Sequence, residues 1–247
     1  MNDYGPDLAF IHDDGFGQLA SAAADFALAA LAPAAPATVV ELGCGSGLTA
    51  ARLAAAGHDV LGYDPAPAML ALARERVPGA RFEAGTAAGA RLPRCDAVLA
   101  IGEVLNYATA GDQSGRRLQR IFARVHAALR PGGLFLFDLA GPGRVPGGTA
   151  RSFATGEDWA ILVETSEDPR AGTLERRMTT FVARRGAYRR EDSVHRQQLQ
   201  AAGPAAAALR AAGFRARVLR GYAGAPFAPG HRAFVARRGP RRQAGGR

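Results

Sequence analysis

The chain has 247 residues, 48% of them hydrophobic and 21% charged. That is enough apolar material for one substantial domain with a full core, and too much for a disordered or collagen-like chain. The formal charge of +9 is uneven: residues 1–143 hold 11 Arg against 14 Asp and Glu, residues 144–247 hold 20 Arg against 8, and lysine is absent. Arginine without lysine in an Ala/Gly/Pro-rich chain reflects coding bias as much as a basic surface. The densest run, Arg237 to Arg247, contains no aromatic residue with which to stack bases, so a nucleic-acid partner is not expected. Two cysteines, Cys44 and Cys95, give neither a disulfide framework nor metal-ligand spacing. No metal is expected, and a reducing cytoplasmic setting fits. The acidic start and the prolines Pro33 and Pro36 argue against a targeting or membrane-spanning segment.

In chain order, an acidic entry containing Tyr4, Phe10, His12 and Phe16 precedes a predicted helix from Gln18 to Leu31. Apolar strands and helical stretches then alternate. Strands are predicted at Ala37–Leu42, Asp59–Tyr63, Ala80–Ala84, Asp96–Ile101 and Leu134–Leu139, and helices at Ser46–Ala56, Pro65–Val77 and Asp112–Leu129, the last with Asp112 as its cap. That alternation predicts a parallel sheet with helices on both faces. After Gly143 the texture changes. Ser152–Ala154, Trp159–Thr165, Thr173–Ala183 and Tyr188–Leu199 read as an antiparallel ribbon or small sheet. A helix, Pro204–Ala212, and two strands, Phe214–Leu219 and His231–Ala236, return the chain to the main sheet.

The most informative stretch is Glu41-Leu42-Gly43-Cys44-Gly45-Ser46-Gly47, a strand entering three closely spaced glycines and then a helix. Such a turn leaves the sheet sharply and lets a ligand approach the backbone, while the next helix presents free N–H groups. Asp64, ending the second strand, is placed to accept hydrogen bonds from both hydroxyls of an adenosine ribose. The spacing Gly45-Ser46-Gly47-Leu48-Thr49-Ala50 also satisfies a dinucleotide fingerprint, so the loop by itself leaves the choice of adenosine cofactor open.

With Glu41 two residues before the first glycine, the chain resembles the class I S-adenosylmethionine-dependent methyltransferases. Asp64-Pro65-Ala66-Pro67-Ala68-Met69-Leu70 is similar to the family's D-x-S-x-x-M-L segment, apart from Pro67, and Leu129-Arg130-Pro131-Gly132-Gly133 to its L-x-P-G-G turn. The ordered motifs cover roughly residues 37 to 140. The resemblance implies a seven-stranded, mostly parallel Rossmann-like α/β sheet, S-adenosyl-L-methionine as cofactor, and cofactor contacts from Glu41, Gly43, Gly45, Gly47, Asp64 and Met69. Many members carry an acid after Gly85; here Thr86 and Ala87 stand in its place, so adenine recognition falls to the threonine and the backbone. Ile101, ending the fourth strand, completes the expected cofactor wall.

The methyl acceptor, expected to be a small molecule, should sit above the fourth strand, where Glu103, Asn106 and Tyr107 leave the sheet. Glu103 and Tyr107 are candidate catalytic residues, with His195 of the inserted ribbon a third if that ribbon covers the pocket. The arginines of the ribbon, Arg176, Arg177, Arg184, Arg185, Arg189 and Arg190, read mainly as a solvated face. The expected organisation is an N-terminal lid and helix (1–36), a cofactor-binding core (37–143), an antiparallel insertion (144–200), a return to the core (201–238) and an Arg-rich disordered tail (239–247). Two alternatives stand beside N- or O-methyl transfer: an NAD(P)-dependent oxidoreductase, and a non-catalytic cofactor- or RNA-binding relative of the same fold.

Overall fold

The structure is a computed structural model describing residues 4–32, 36–107, 114–222 and 225–239. The expected Asp112 cap and the arginine tail beyond Gly239 lie outside the described residues.

Five parallel strands form most of the main sheet: β1 (Thr38–Leu42), β2 (Asp59–Asp64), β3 (Arg81–Ala84), β4 (Cys95–Ala100) and β5 (Leu129–Ala140). From Leu134 to Ala140 every residue of β5 is buried, as a strand covered on both faces requires. The four-stranded sheet inserted after β5 comprises β6 (Thr149–Thr155), β7 (Trp159–Asp168), β8 (Thr173–Arg184) and β9 (Ala187–Gln198). The short pair β11 (Gly221–Tyr222) and β12 (Ala225–Pro226) lies between β10 (Phe214–Leu219) and β13 (His231–Arg238). The main sheet has seven strands in the order β10-β13-β5-β4-β1-β2-β3, with β13 antiparallel to both its neighbours. Strand order reverses between β1 and β4, and the carboxyl ends beside that reversal form the crevice where such sheets bind ligands.

Helices cover both faces. The helices α2 (Gln18–Leu31), α3 (Leu48–Ala55) and α4 (Pro67–Arg76) bury Ala27, Leu53 and Leu70 against Val39, Leu99 and Leu136. On the other face, α5 (Ser114–Ala128) and α6 (Ala202–Ala211) bring Phe122 and Leu209 against Val98, Phe135 and Phe137. Two local readings change. β5 begins five residues earlier than expected, because Leu129 already pairs with Cys95 before the Pro131-Gly132-Gly133 stretch bulges out and pairing resumes at Leu134. Helix α3 starts at Leu48 rather than Ser46, because Gly45 and Gly47 both lie at positive φ.

The acidic entry, expected to be a lid and given no element, folds as helix α1 (Pro6–Gly15), with Pro6 in its first turn. Leu8 and Ile11 pack on Trp159, Ile161, Met178 and Val182 of the inserted sheet, while Ala9 packs on Ala66 and Met69 beside α4. Asp7 is fully buried and accepts two hydrogen bonds of 2.5 Å from Arg189; Asp14 accepts one of 2.7 Å from the Trp159 indole. Helix α1 is therefore held between the inserted sheet and the main domain.

Among the described residues no helix is long and apolar enough to cross a membrane.

Asn106, whose amide was expected to face the acceptor, is a brace. It is fully buried, donates to the carbonyls of Ala140 (2.8 Å) and Gln198 (2.7 Å), and accepts from the Ala140 N–H (2.9 Å). Asn106→Ala leaves that buried N–H without a partner, and we expect urea denaturation to show a loss of about 2–3 kcal/mol of unfolding free energy. A change below about 0.5 kcal/mol would show that the brace contributes nothing.

Candidate active site

The glycine loop leaves β1 with Gly43, Gly45 and Gly47 at φ of 70°, 54° and 80°, a region costly for side chains. A β-carbon on Gly43 would sit 2.4 Å from a methyl of Val104, so the loop lies directly against the turn that follows β4. At Gly45 nothing approaches within 4 Å, leaving open space over the backbone. Asp64 closes the loop from β2: one carboxylate oxygen accepts from the Gly45 N–H and the other from the Ala66 N–H, each at 2.9 Å. Burial raises the Asp64 pKa and these N–H groups oppose the rise.

Beneath the loop, Glu41 is buried and its Oε2 has no partner. Burial pushes its carboxyl up to about 8, against a hydrogen bond from Thr49 and with a further push from Asp64. An orphaned carboxylate oxygen and an open glycine backbone are what the amino-acid end of S-adenosylmethionine requires, so the residues present fit that group. Met69 is buried among Ala66 and Ala9, and Ile101 lies in one apolar cluster with Cys44. Thr86 is exposed, its hydroxyl accepting from the Gly89 N–H at 3.1 Å, while Ala87 is buried. From α1, Asp13 is tied to the loop by the Ser46 hydroxyl and by Arg76 at 2.9 Å.

The acceptor side is built around Glu103, a non-glycine residue at φ 61°. Its buried carboxylate accepts from Arg144 Nε at 3.0 Å and Arg176 Nη2 at 2.8 Å. Burial would raise its pKa, but Arg176 and Arg144 overcome that and hold it at about 2. A carboxylate this acidic, with both oxygens occupied, is a poor general base. The expected catalytic role of Glu103 therefore gives way to that of an anchor. Arg176, expected on a solvated face, is mostly buried, and its second Nη donates to Gln197 Oε1 at 3.0 Å. Of the remaining ribbon arginines, Arg184 and Arg189 hold Asp7, and Arg177, Arg185 and Arg190 are exposed.

His195 is likewise buried, not solvated, and pairs across the inserted sheet with Arg176. Its ring meets Tyr4 edge-on at 4.8 Å and Tyr107 at 6.0 Å. The Tyr4 and Tyr107 phenols are hydrogen-bonded to each other. Burial raises both tyrosine pKa values; at Tyr107 Arg176 opposes the rise and Glu103 adds to it. The structure thus gathers Glu103, Tyr107 and His195 beyond the turn that meets the glycine loop, with Tyr4 from just before α1. Sequence reasoning passed over Arg144, Gln197, Asp138, Tyr222 and His231. Two signals were available: Asp138 is a lone charge within an apolar run, and Arg176 alternates with the apolar Leu174, Met178 and Val182 along one face of β8.

Residues 39–133 match the family model described as a methyltransferase domain. Over those residues the chain is similar to methyltransferase domains, and its fold is that of solved S-adenosylmethionine-dependent methyltransferases. Over 96 residues it is 32% identical to a magnesium-protoporphyrin O-methyltransferase of Rhodobacter capsulatus, a match covering 37% of this chain and 42% of that protein, so it spans less than half of that relative's length. The methyltransferase CcbJ of Streptomyces caelestis shares the fold, with TM-score 0.78 and 22% identity over 96% of this chain and 98% of that one. CalS10, an amino pentose methyltransferase from Micromonospora echinaspora solved with S-adenosylmethionine bound, aligns with TM-score 0.69 and 25% identity over 89% of each chain. The match favours S-adenosylmethionine over a nicotinamide cofactor for the glycine loop.

The Glu41 carboxyl yields a pH prediction. An ordinary glutamate titrates at 4.5 and the folded Glu41 at about 8, so between those values the folded state keeps a proton that the unfolded chain has shed. Stability from this group is full below pH 4.5 and is lost as pH rises through 8. Unfolding midpoints should fall more steeply across that window for the wild type than for Glu41→Gln; equal slopes would refute the assignment.

Proposed function

We propose that this methyltransferase moves a methyl group from S-adenosylmethionine to a nitrogen or oxygen of a small-molecule acceptor by in-line displacement. The acceptor would lie between the glycine-loop edge and the inserted sheet. The observation carrying this reading is the cluster of Tyr4, Tyr107, His195 and Arg176, supplied by the residues just before α1, the turn after β4 and the inserted sheet, beside the loop where Gly43 meets Val104. When bound, the cofactor supplies a methyl on a sulfonium, whose sulfur takes the bonding pair as the carbon passes to the acceptor.

In this reading residues 37–143 hold the cofactor, residues 144–200 cover the acceptor, residues 1–36 close the pocket and residues 201–238 complete the main sheet. Gly43, Gly45 and Gly47 give the cofactor backbone access, Glu41 holds its amino group and Asp64 its ribose. Met69, Thr86, Ala87 and Ile101 line the adenosine. Transfer then rests on alignment and exclusion of water. Tyr107 orients the acceptor, and His195, the imidazole of the cluster, takes the proton where the acceptor must lose one. CalS10, described as acting on an amino pentose, supports a polar acceptor of similar size.

Two measurements test this. Calorimetric titration should show S-adenosylhomocysteine binding, with NADH not bound, and Asp64→Ala should weaken the former at least about 100-fold, as loss of a bidentate charged partner predicts. Preference for NADH would sink the proposal. Radiolabelled transfer to a panel of amino sugars, phenols and polycarboxylates should identify an acceptor class, and His195→Ala should flatten the acidic limb of its pH–rate profile. An unchanged limb would remove His195 as the base.

A further inference from the structure

Asp138, two residues before the end of β5, has no exposure, yet it is not part of the cofactor loop. Its carboxylate has four partners. Oδ1 accepts from the Glu103 N–H at 2.6 Å and faces His231 Nε2 at 3.0 Å; Oδ2 accepts from the Gly102 N–H at 3.0 Å and the Tyr222 hydroxyl at 3.2 Å. Each oxygen therefore takes one backbone donor from the turn after β4 and one side-chain donor from the far strands. The His231 ring is fixed in turn by stacking on Phe227, centroids 4.0 Å apart and planes 12° apart.

The two backbone donors belong to consecutive residues at positive φ, Gly102 at 89° and Glu103 at 61°. For a glutamate that conformation is costly and persists only where the surroundings impose it. Two N–H groups converging on one buried carboxylate supply the imposition. The direction of the Glu103 side chain follows from it, and with it the place of Arg176, which grips Glu103 at 2.8 Å and Gln197 at 3.0 Å.

The geometry points to Asp138 as the positioning residue of the acceptor side: it sets the left-handed turn at Gly102 and Glu103, and through Glu103 it sets Arg176 and Gln197 of the inserted sheet. His231 and Tyr222 hold the carboxylate in the orientation that does this. This inference rests on the acceptor-side reading above, and it assigns the control of that side to a residue that touches neither cofactor nor acceptor. Asp138→Asn keeps the shape but puts an N–H where one of the two N–H donors now finds an oxygen.

Hydrogen–deuterium exchange on the full chain tests it without any acceptor. In Asp138→Asn, amides in 101–107 and, across the interface, in 173–180 should exchange about tenfold faster. The strand 134–140 should stay protected, and S-adenosylhomocysteine affinity should stay within about twofold, below the loss expected when a contact is removed. Loosening confined to 101–107, or spread evenly through the main sheet with loss of S-adenosylhomocysteine binding, would overturn the proposal. Should Asp138→Asn fail to fold, His231 decides. Gln can still donate from a similar position, so His231→Gln should match the wild type while His231→Ala loosens 101–107 and 173–180; equal behaviour of the two would overturn it. The exchange pattern is read whether or not the wild type binds S-adenosylhomocysteine, so failure of the cofactor reading and failure of this one are separate results.

Discussion

The buried carboxylate of Glu103 is where two sheets become one site. It leaves the carboxyl edge of the main sheet and is gripped by Arg144, just beyond β5, and Arg176 on the inserted sheet. A buried carboxylate persists in charged form only if the interior pairs it, and here the pairing comes from chain 41 and 73 residues away. Everything on the acceptor side follows from this link. It fixes how the inner face of β8 and β9 meets the glycine loop, and so where His195 and Gln197 lie relative to Tyr107.

Helix α1 depends on the same arrangement. It has two faces because it has two neighbours: an apolar face for Trp159 and Met178, and a small-residue face in Ala9 for Met69. Its charges follow the same division, with Asp7 and Asp14 meeting the inserted sheet and Asp13 meeting Arg76 and the glycine loop. A short helix of modest propensity gains its order from tertiary packing, so this segment is shaped by the two surfaces it joins. Tyr4, immediately before it, thereby reaches both His195 and Tyr107.

The cofactor half was legible in the sequence and the acceptor half was not, for a physical reason. The glycine loop, Asp64 and the alternation of strands are local: they depend on backbone conformation and burial period, which neighbouring residues determine. Hence the order of elements and the sheet type could be read directly. The segment 4–16 was missed as a helix because its pattern is interrupted by acids whose partners, Arg189 and Trp159, lie about 145 to 180 residues on. Arg176 and His195 looked solvated because the arginines around them are. Only the pairing of β8 with β9 and the position of α1 over that face reveal which side of each strand is inside. The surroundings of Glu103 were out of view for the same reason, since the two guanidinium groups that grip it lie in no local window.

A buried ion cluster is a weak source of stability, because desolvation cancels most of the attraction, and apolar residues of similar volume often serve as well. What charge adds is direction. Guanidinium forks fix the angle of a carboxylate as methyl groups cannot, and an in-line transfer is sensitive to angle and to displacements of an ångström. In this chain the main sheet supplies a rigid edge and the inserted sheet faces it, and a small apolar cluster of Ala140, Val145, Leu174 and Leu199 holds the two together. The charges at Glu103, Arg144, Arg176 and Asp138 add direction to that contact, so apolar burial brings the two halves together and electrostatic geometry sets their angle.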